Sequence, residues 1–136
     1  MPVLDTNIII RHLTGDNPDQ SPRSRRLFEQ LAVGSRSVIL REAVLVESVQ
    51  VLSSKALYDV PRGKIRDDLS ELIRMPGVKL RPKRLYLRSL ELYGRHTSLS
   101  FVDALLVAFA EREGDGTVVT FDRGFDHVPN IRREEP

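Results

Sequence analysis

The chain has 136 residues, a mass of 15.5 kDa and a formal net charge of +2, with 40% hydrophobic and 29% charged residues. This composition excludes an intrinsically disordered chain and the length suits one hydrophobic core, so we expect a single domain over residues 1–136. The absence of cysteine excludes disulfides and thiolate metal ligands, and with no signal-peptide pattern or membrane-spanning run we expect a cytoplasmic protein with no membrane partner.

Short β-rich runs alternate with longer amphipathic runs along the chain, which is typical of βαβ units. The predicted strands are Pro2–Leu4, Ser37–Leu40, Val78–Leu80, Thr117–Phe121 and Asn130–Arg132. The predicted helices are Asp5–Leu13, Pro22–Val33, Glu42–Ser54, Pro61–Arg74, Arg84–Tyr93 and Ser100–Glu113. The valines of the third helix would also suit a strand, but its length and its apolar stripe favour a helix. The order of elements predicts an α/β fold, a three-layer α/β/α sandwich with a short central parallel sheet.

Four acidic residues are expected at one edge of this sheet. Asp5 and Asp122 directly follow predicted strands, and Glu47 and Asp103 lie in the early turns of predicted helices. Ligands of open parallel sheets bind beyond the carboxyl ends of the strands, where the following helices also begin, so we expect the four carboxylates to converge. Asp103 is the most informative, because it interrupts an apolar helix that we expect to be buried on every face, and a buried carboxylate needs a partner.

Each acid also has a purely structural interpretation. Asp103 could close a capping box at the start of its helix, and Asp5 could be an N-cap. Glu47 could point into solvent, and Asp122 could be a turn residue. Asp126 is an alternative fourth acid because it follows Asp122 at helical spacing, and we favour Asp122 because it directly leaves the strand.

The chain resembles the PIN-domain ribonucleases of the VapC toxin type. The resemblance covers essentially the whole chain and rests on four segments in the family's order and spacing, namely Val3–Asn7, Leu45–Leu52, Phe101–Leu106 and Val119–Phe125. It implies a Mg²⁺-dependent endoribonuclease, with Mn²⁺ able to substitute, that is the toxin of a type II toxin–antitoxin pair. It also implies a homodimer and an antitoxin protein as partner.

Carried over residue by residue, the resemblance implies that Asp5, Glu47, Asp103 and Asp122 are the catalytic residues and bind one or two Mg²⁺ or Mn²⁺ ions. Of these, we assign Asp5, Asp103 and Asp122 as metal ligands, and Glu47 as completing the site or orienting the attacking water. Thr6, Asn7 and Thr120 match polar positions of the family beside the acids. Arg11 and Arg123 lie close to the first and last acid in the sequence. We expect the RNA substrate to contact these five neighbours.

Two other functions remain open. Phosphatases of the haloacid-dehalogenase type also place an aspartate after the first strand, but they need a second aspartate two residues later, where this chain has Asn7. A non-catalytic PIN-like module would bind RNA or a protein without cutting, and it would not need all four acids. The sequence therefore favours the nuclease.

Overall fold

The computed structural model describes all 136 residues, and the chain divides into two compact units, Met1–Arg81 and Pro82–Pro136. The first unit contains helices α1 (Thr6–Thr14), α2 (Gln20–Val33), α3 (Glu42–Ser53) and α4 (Arg62–Arg74) and strands β1 (Val38–Ile39) and β2 (Val78–Lys79). The second contains α5 (Lys83–Arg95), α6 (Phe101–Arg112), β3 (Thr117–Val119), a 3₁₀ helix (Arg123–His127) and β4 (Arg132–Glu134). The predicted α/β class with short parallel strands is confirmed, and the single domain stays a prediction.

The strands of the first unit run parallel. β1 pairs with β2, with Val38 opposite Val78, and Val3 adds one parallel bridge to Ile39. The backbone N–H of Leu4 donates to the carbonyl oxygen of Ile39 at 2.8 Å. This bond fixes the end of the first extended segment beside the end of β1, and α1 begins directly after it.

Helix packing in the first unit follows the apolar periodicity. α1 packs against α2 and α3, and α4 packs against α3 and β2. The side chains that fill the core come from all four helices and include Ile9, Phe28, Leu45, Ile65 and Leu69, none more than 2% exposed. The segment that could have been a strand is therefore helix α3, because its buried residues recur with the helical period.

A glycine allows the end of α2 to approach β2 closely. A Cβ atom at Gly77 would lie 2.1 Å from the carbonyl oxygen of Arg36 and 2.8 Å from the Cα of Leu31. Real Cβ atoms do not approach backbone this closely, so only glycine fits here. The Gly77 N–H also donates to the Leu31 carbonyl oxygen at 2.9 Å, which holds the turn before β2 against α2.

His12 lies on α1 with its ring stacked on Phe28 of α2, the ring centroids 4.3 Å apart. Its Nδ1 is buried and has no hydrogen-bond partner. Burial lowers the pKa of His12 below its usual value near 6.5, and the charge of Arg25 lowers it further. The neutral imidazole is therefore the form that suits this packing.

In the second unit, β3 and β4 are parallel, with Thr117 opposite Arg132 and Val119 opposite Glu134. α5 and α6 pack against each other, and α6 packs against β3. Tyr93 of α5 meets Phe101 of α6 edge to face, with ring centroids 5.9 Å apart.

α6 is not buried on every face, which corrects the expectation from its apolar sequence. Val102 and Leu106, one turn apart, are each 45% exposed. The buried stripe of the helix is formed instead by Ala104, Val107 and Ala108. None of the six helices is both long enough and apolar enough to cross a membrane.

Candidate functional site

Asp5 follows the extended segment that pairs with β1 and is the N-cap of α1. Its backbone is extended, and its Oδ1 accepts a hydrogen bond from the Thr6 N–H at 2.8 Å. The residue is exposed, and its second carboxylate oxygen makes no hydrogen bond or ion pair. The N-cap interpretation is thus observed, and it leaves one oxygen available to a ligand.

Glu47 lies in the second turn of α3 and is exposed. Its neighbours Leu45 and Ser48 are fully buried, so α3 turns one face to the core and carries Glu47 on the other. The carboxylate makes no hydrogen bond or ion pair. The solvent-facing interpretation is therefore observed for this residue.

Three further predicted residues lie on α1. Asn7 is exposed, whereas Thr6 is 3% exposed and its hydroxyl is buried without a hydrogen-bond partner. Arg11 is partly buried, and its Nε donates to Gln20 Oε1 at 3.0 Å while its Nη1 lies 3.3 Å from Asp16. Arg11 thus joins α1 to the start of α2, and its contact with a substrate stays a prediction.

Tyr58 completes this network from the loop after α3. Its hydroxyl donates to Asp16 Oδ2 at 2.6 Å and lies 3.4 Å from Arg11 Nη1. The Tyr58 hydrogen bond is the main reason that the pKa of Asp16 is lowered, followed by the hydrogen bond from Thr14. The Asp16 carboxylate is therefore held by contacts within the first unit, with Tyr58, Thr14 and Arg11.

Asp103 forms a capping box with Ser100 at the start of α6. Ser100 Oγ accepts from the Asp103 N–H at 3.1 Å, and Asp103 Oδ2 accepts from the Ser100 N–H at 3.1 Å. Asp103 is half-buried, and its Oδ1 makes no hydrogen bond. The structural alternative for this residue is thus also observed, and again it uses only one carboxylate oxygen.

Asp122 is the N-cap of the 3₁₀ helix, an element that the sequence patterns did not predict. Its Oδ1 accepts from the Gly124 N–H at 2.8 Å, and its own N–H donates to Thr120 Oγ1 at 3.0 Å. Thr120 therefore orients the backbone of Asp122. Arg123 is exposed and makes no ion pair.

Asp126, the alternative fourth acid, is engaged by a cation. Arg133 Nε donates to Asp126 Oδ1 at 2.9 Å, and the same guanidinium also binds Glu135. Asp122 has no such partner. This difference favours Asp122 as the acid that is available to a ligand.

The four predicted acids share one property, which is that none is paired with an arginine or lysine. Asp5, Asp103 and Asp122 each use one oxygen to cap a helix and keep the other free. Free carboxylate oxygens are the donors that Mg²⁺ prefers, so the chemistry of the donor set fits this ion. The structure contains no group of three or more His, Asp or Glu side chains that could hold a metal ion, and the convergence of the four acids stays a prediction.

Gly124 explains how the 3₁₀ helix is seated. A Cβ atom at this position would lie 2.8 Å from the carbonyl oxygen of Ser98 and 3.1 Å from Asp122 Oδ1. Ser98 Oγ donates to the Gly124 carbonyl oxygen at 2.9 Å. The spacing Asp-x-Gly was the available sequence signal for this capped turn, because the carboxylate receives the N–H two residues on.

Comparison with models of protein families gives a match. A protein-family model described as PIN domain matches residues 3–131, a range that includes every predicted site residue and parts of both units. No curated protein matches the chain significantly.

Proposed function

The chain belongs to the PIN domain family, whose members are generally nucleases, and from this premise we propose that it is a Mg²⁺-dependent endoribonuclease. The observation that carries the proposal is that the four acids of the family pattern, Asp5, Glu47, Asp103 and Asp122, have no cationic partner within the fold and are at least partly exposed. Asp126, by contrast, is paired with Arg133.

We assign two different roles to the four acids. Asp5, Asp103 and Asp122 are the metal ligands in this proposal, and the free oxygen of each capped carboxylate is its donor atom. Because capping hydrogen bonds hold these carboxylates, little side-chain entropy is lost when they bind an ion. Glu47 has no partner and is the residue that orients the attacking water and accepts its proton.

Bound Mg²⁺ would supply Lewis-acid chemistry, activating water and neutralising charge that develops on the phosphoryl oxygens. The protein then needs no nucleophile of its own. Arg123, which makes no ion pair, would bind a non-bridging phosphate oxygen, since a guanidinium matches this geometry. Thr6, Asn7 and Arg11 are further proposed contacts of the RNA substrate. Thr120 is proposed to contribute through Asp122, whose backbone N–H it accepts.

The biological role that we propose is that of a VapC-type toxin in a type II toxin–antitoxin pair. The protein would act in the cytoplasm as a homodimer and would be neutralised by a cognate antitoxin protein. This part of the proposal rests on the resemblance of four sequence segments to that subfamily. Expression in bacteria should arrest growth, and the Asp5→Ala variant should be harmless.

A second candidate is a non-catalytic PIN-like module that binds RNA or a protein. The observation in its favour is that Asp5, Asp103 and Asp122 all cap helices, which would account for their presence without catalysis.

RNA cleavage by a matched pair of variants separates the two functions. Asp115 Oδ1 accepts from the Thr117 N–H at 3.0 Å, just as Asp122 Oδ1 accepts from the Gly124 N–H. Both aspartates therefore cap a turn two residues on, but only Asp122 is a proposed ligand. Cleavage should require Mg²⁺, stop with EDTA, stop in Asp122→Asn and persist in Asp115→Asn, and p-nitrophenyl phosphate should not be hydrolysed. RNA that stays intact with the parent protein would support the binding module.

A further inference from the structure

A polar groove of about 360 Å³ lies in the second unit and plays no part in the assignments above. It is lined by the end of α5, the loop before α6 and the end of the 3₁₀ helix, through Arg95, His96, Thr97, Ser98 and His127. Every lining side chain can donate a hydrogen bond, and none is a carboxylate. A groove of this chemistry suits an anion.

The groove adjoins the two segments that hold proposed metal ligands of this unit. Ser98 in its wall donates to the Gly124 carbonyl oxygen, and Gly124 in turn lies against the Asp122 carboxylate. Two residues after Ser98, Ser100 closes the capping box with Asp103. One wall residue, Ser98, is thus hydrogen-bonded to the turn that Asp122 caps, and the chain reaches the capping box of Asp103 two residues after it.

Two carboxylates on the elements that line the groove are already paired with arginines. Glu91 of α5 pairs with Arg95 and with Arg88, and Asp126 of the 3₁₀ helix pairs with Arg133. The Arg95–Glu91 pair spans 3.3 Å, and its side chains are 64% and 50% exposed. A pair this exposed is weak, so the guanidinium can exchange its partner for a stronger anion at little cost.

We propose that this groove binds a backbone phosphate of the RNA strand next to the phosphate that is cleaved. Arg95 supplies the charge and a bidentate donor, and Thr97 and His127 donate to the remaining phosphate oxygens. The inference rests on the proposed nuclease function, because it takes the carboxylates of Asp103 and Asp122 as the neighbouring reaction centre. It adds a subsite that holds the strand on one side of that centre.

A matched arginine pair tests the subsite through RNA affinity. Arg23 on α2 forms the same kind of i,i+4 ion pair, with Asp19 at 3.3 Å, and is 67% exposed. Arg95→Gln and Arg23→Gln therefore remove the same charge and the same kind of surface pair. Each is placed in the Asp103→Asn background, so that a fluorescent single-stranded RNA is bound without being cut.

Arg95→Gln should raise the Kd for RNA roughly tenfold, the loss expected for one charge-assisted hydrogen-bonded contact. The plot of the logarithm of the RNA association constant against the logarithm of salt concentration should become shallower by about 0.7, the value for one phosphate of a single strand. Arg23→Gln should change neither quantity. Equal effects of the two variants, or no effect of Arg95→Gln, would overturn the subsite.

The imidazole resonances of His127 give a second measurement that needs neither RNA nor catalysis. Inorganic phosphate added to the full chain should shift them saturably, and Arg95→Gln should weaken this response. Phosphate binding here with an RNA affinity independent of Arg95 would overturn the RNA assignment. RNA binding that depends on Arg95, in a parent protein that never cleaves RNA with Mg²⁺, would support the subsite and overturn the nuclease instead.

Discussion

Replacing Asp103 by asparagine and Ser100 by alanine separates the proposed catalytic role of Asp103 from its role as a helix cap. Both residues belong to one capping box, with two hydrogen bonds of 3.1 Å each. If Asp103 is a metal ligand, its charge matters for activity and the cap matters for stability. If Asp103 is only a cap, the two substitutions should act alike.

Asp103→Asn should lose more activity than Ser100→Ala, and Ser100→Ala should lose at least as much stability as Asp103→Asn. Asparagine keeps an oxygen for the Ser100 N–H, so Asp103→Asn loses only the favourable charge at the helix N-terminus, about 0.3–1 kcal/mol. Ser100→Ala removes the acceptor of the Asp103 N–H and should cost about 1 kcal/mol, or roughly 4 °C in Tm for a chain of this length. Asp103→Asn should lower kcat/KM by at least about 100-fold, whereas Ser100→Ala should stay within a few-fold of the parent.

Single-turnover cleavage of RNA in millimolar Mg²⁺ and thermal melting in EDTA measure the two effects separately. The assay temperature should lie well below the Tm of every variant, so that unfolding does not contribute to lost activity. Asp103→Asn cleaving at the parental rate would refute the ligand assignment. A folded Ser100→Ala variant as inactive as Asp103→Asn would show that the cap, not the charge, is what activity requires.

Three further predictions concern the fourth acid and the first unit. Asp122→Ala should abolish RNA cleavage, whereas Asp126→Ala should cost at most about 1 kcal/mol of stability and no activity, and the reverse pattern would transfer the role to Asp126. In chemical denaturation, Gly77→Ala should lose about 3 kcal/mol through backbone overlap, whereas Gly63→Ala, whose Cβ has no neighbour closer than 3.6 Å, should gain about 0.5–1 kcal/mol. Burial lowers the pKa of His12, so the unfolded chain binds more protons than the folded one. The free energy of unfolding should therefore be constant above about pH 6.5 and decrease as the pH falls towards the folded pKa. Urea titrations at several pH values should show this decrease in the parent but not in His12→Phe.

Most helix positions could be predicted because local signals set them. α4 begins one residue after Pro61, and α3 was identified from its apolar stripe. α2 begins two residues before the predicted Pro22, because the Asn17 side chain accepts the backbone N–H groups of Asp19 and Gln20. This cap involves a residue outside the apolar period from which the helix was predicted.

The strands were harder to delimit, since their ends depend on pairing. The last strand was predicted at Asn130–Arg132 and lies at Arg132–Glu134. Asn130 has a backbone φ of +65°, in the left-handed region, so the extended conformation can begin only after it. β-propensity alone does not report such a turn.

For the candidate site, the local geometry of each acid could be predicted, but its surroundings could not. The caps formed by Asp5 and Asp103 follow from residue type and position at a helix start. The exposure of Val102 and the hydrogen bond between Arg11 and Tyr58 could not be predicted in this way. Both depend on which residues distant in the sequence pack near these positions. Whether all four acids serve one metal site stays a prediction that the variants above address.

The parallel pairings of the two units differ in the length of chain that each must close. Val38 and Val78 are 40 positions apart, whereas Thr117 and Arg132 are 15 apart. The free-energy cost of closing a loop grows by about 0.6 kcal/mol per doubling of its length, so the pairing in the first unit costs nearly 1 kcal/mol more than that in the second. During refolding, the segment that carries Asp122 should therefore become ordered before the strand that precedes α3, and amides of β3 should gain protection from hydrogen exchange earlier than those of β1.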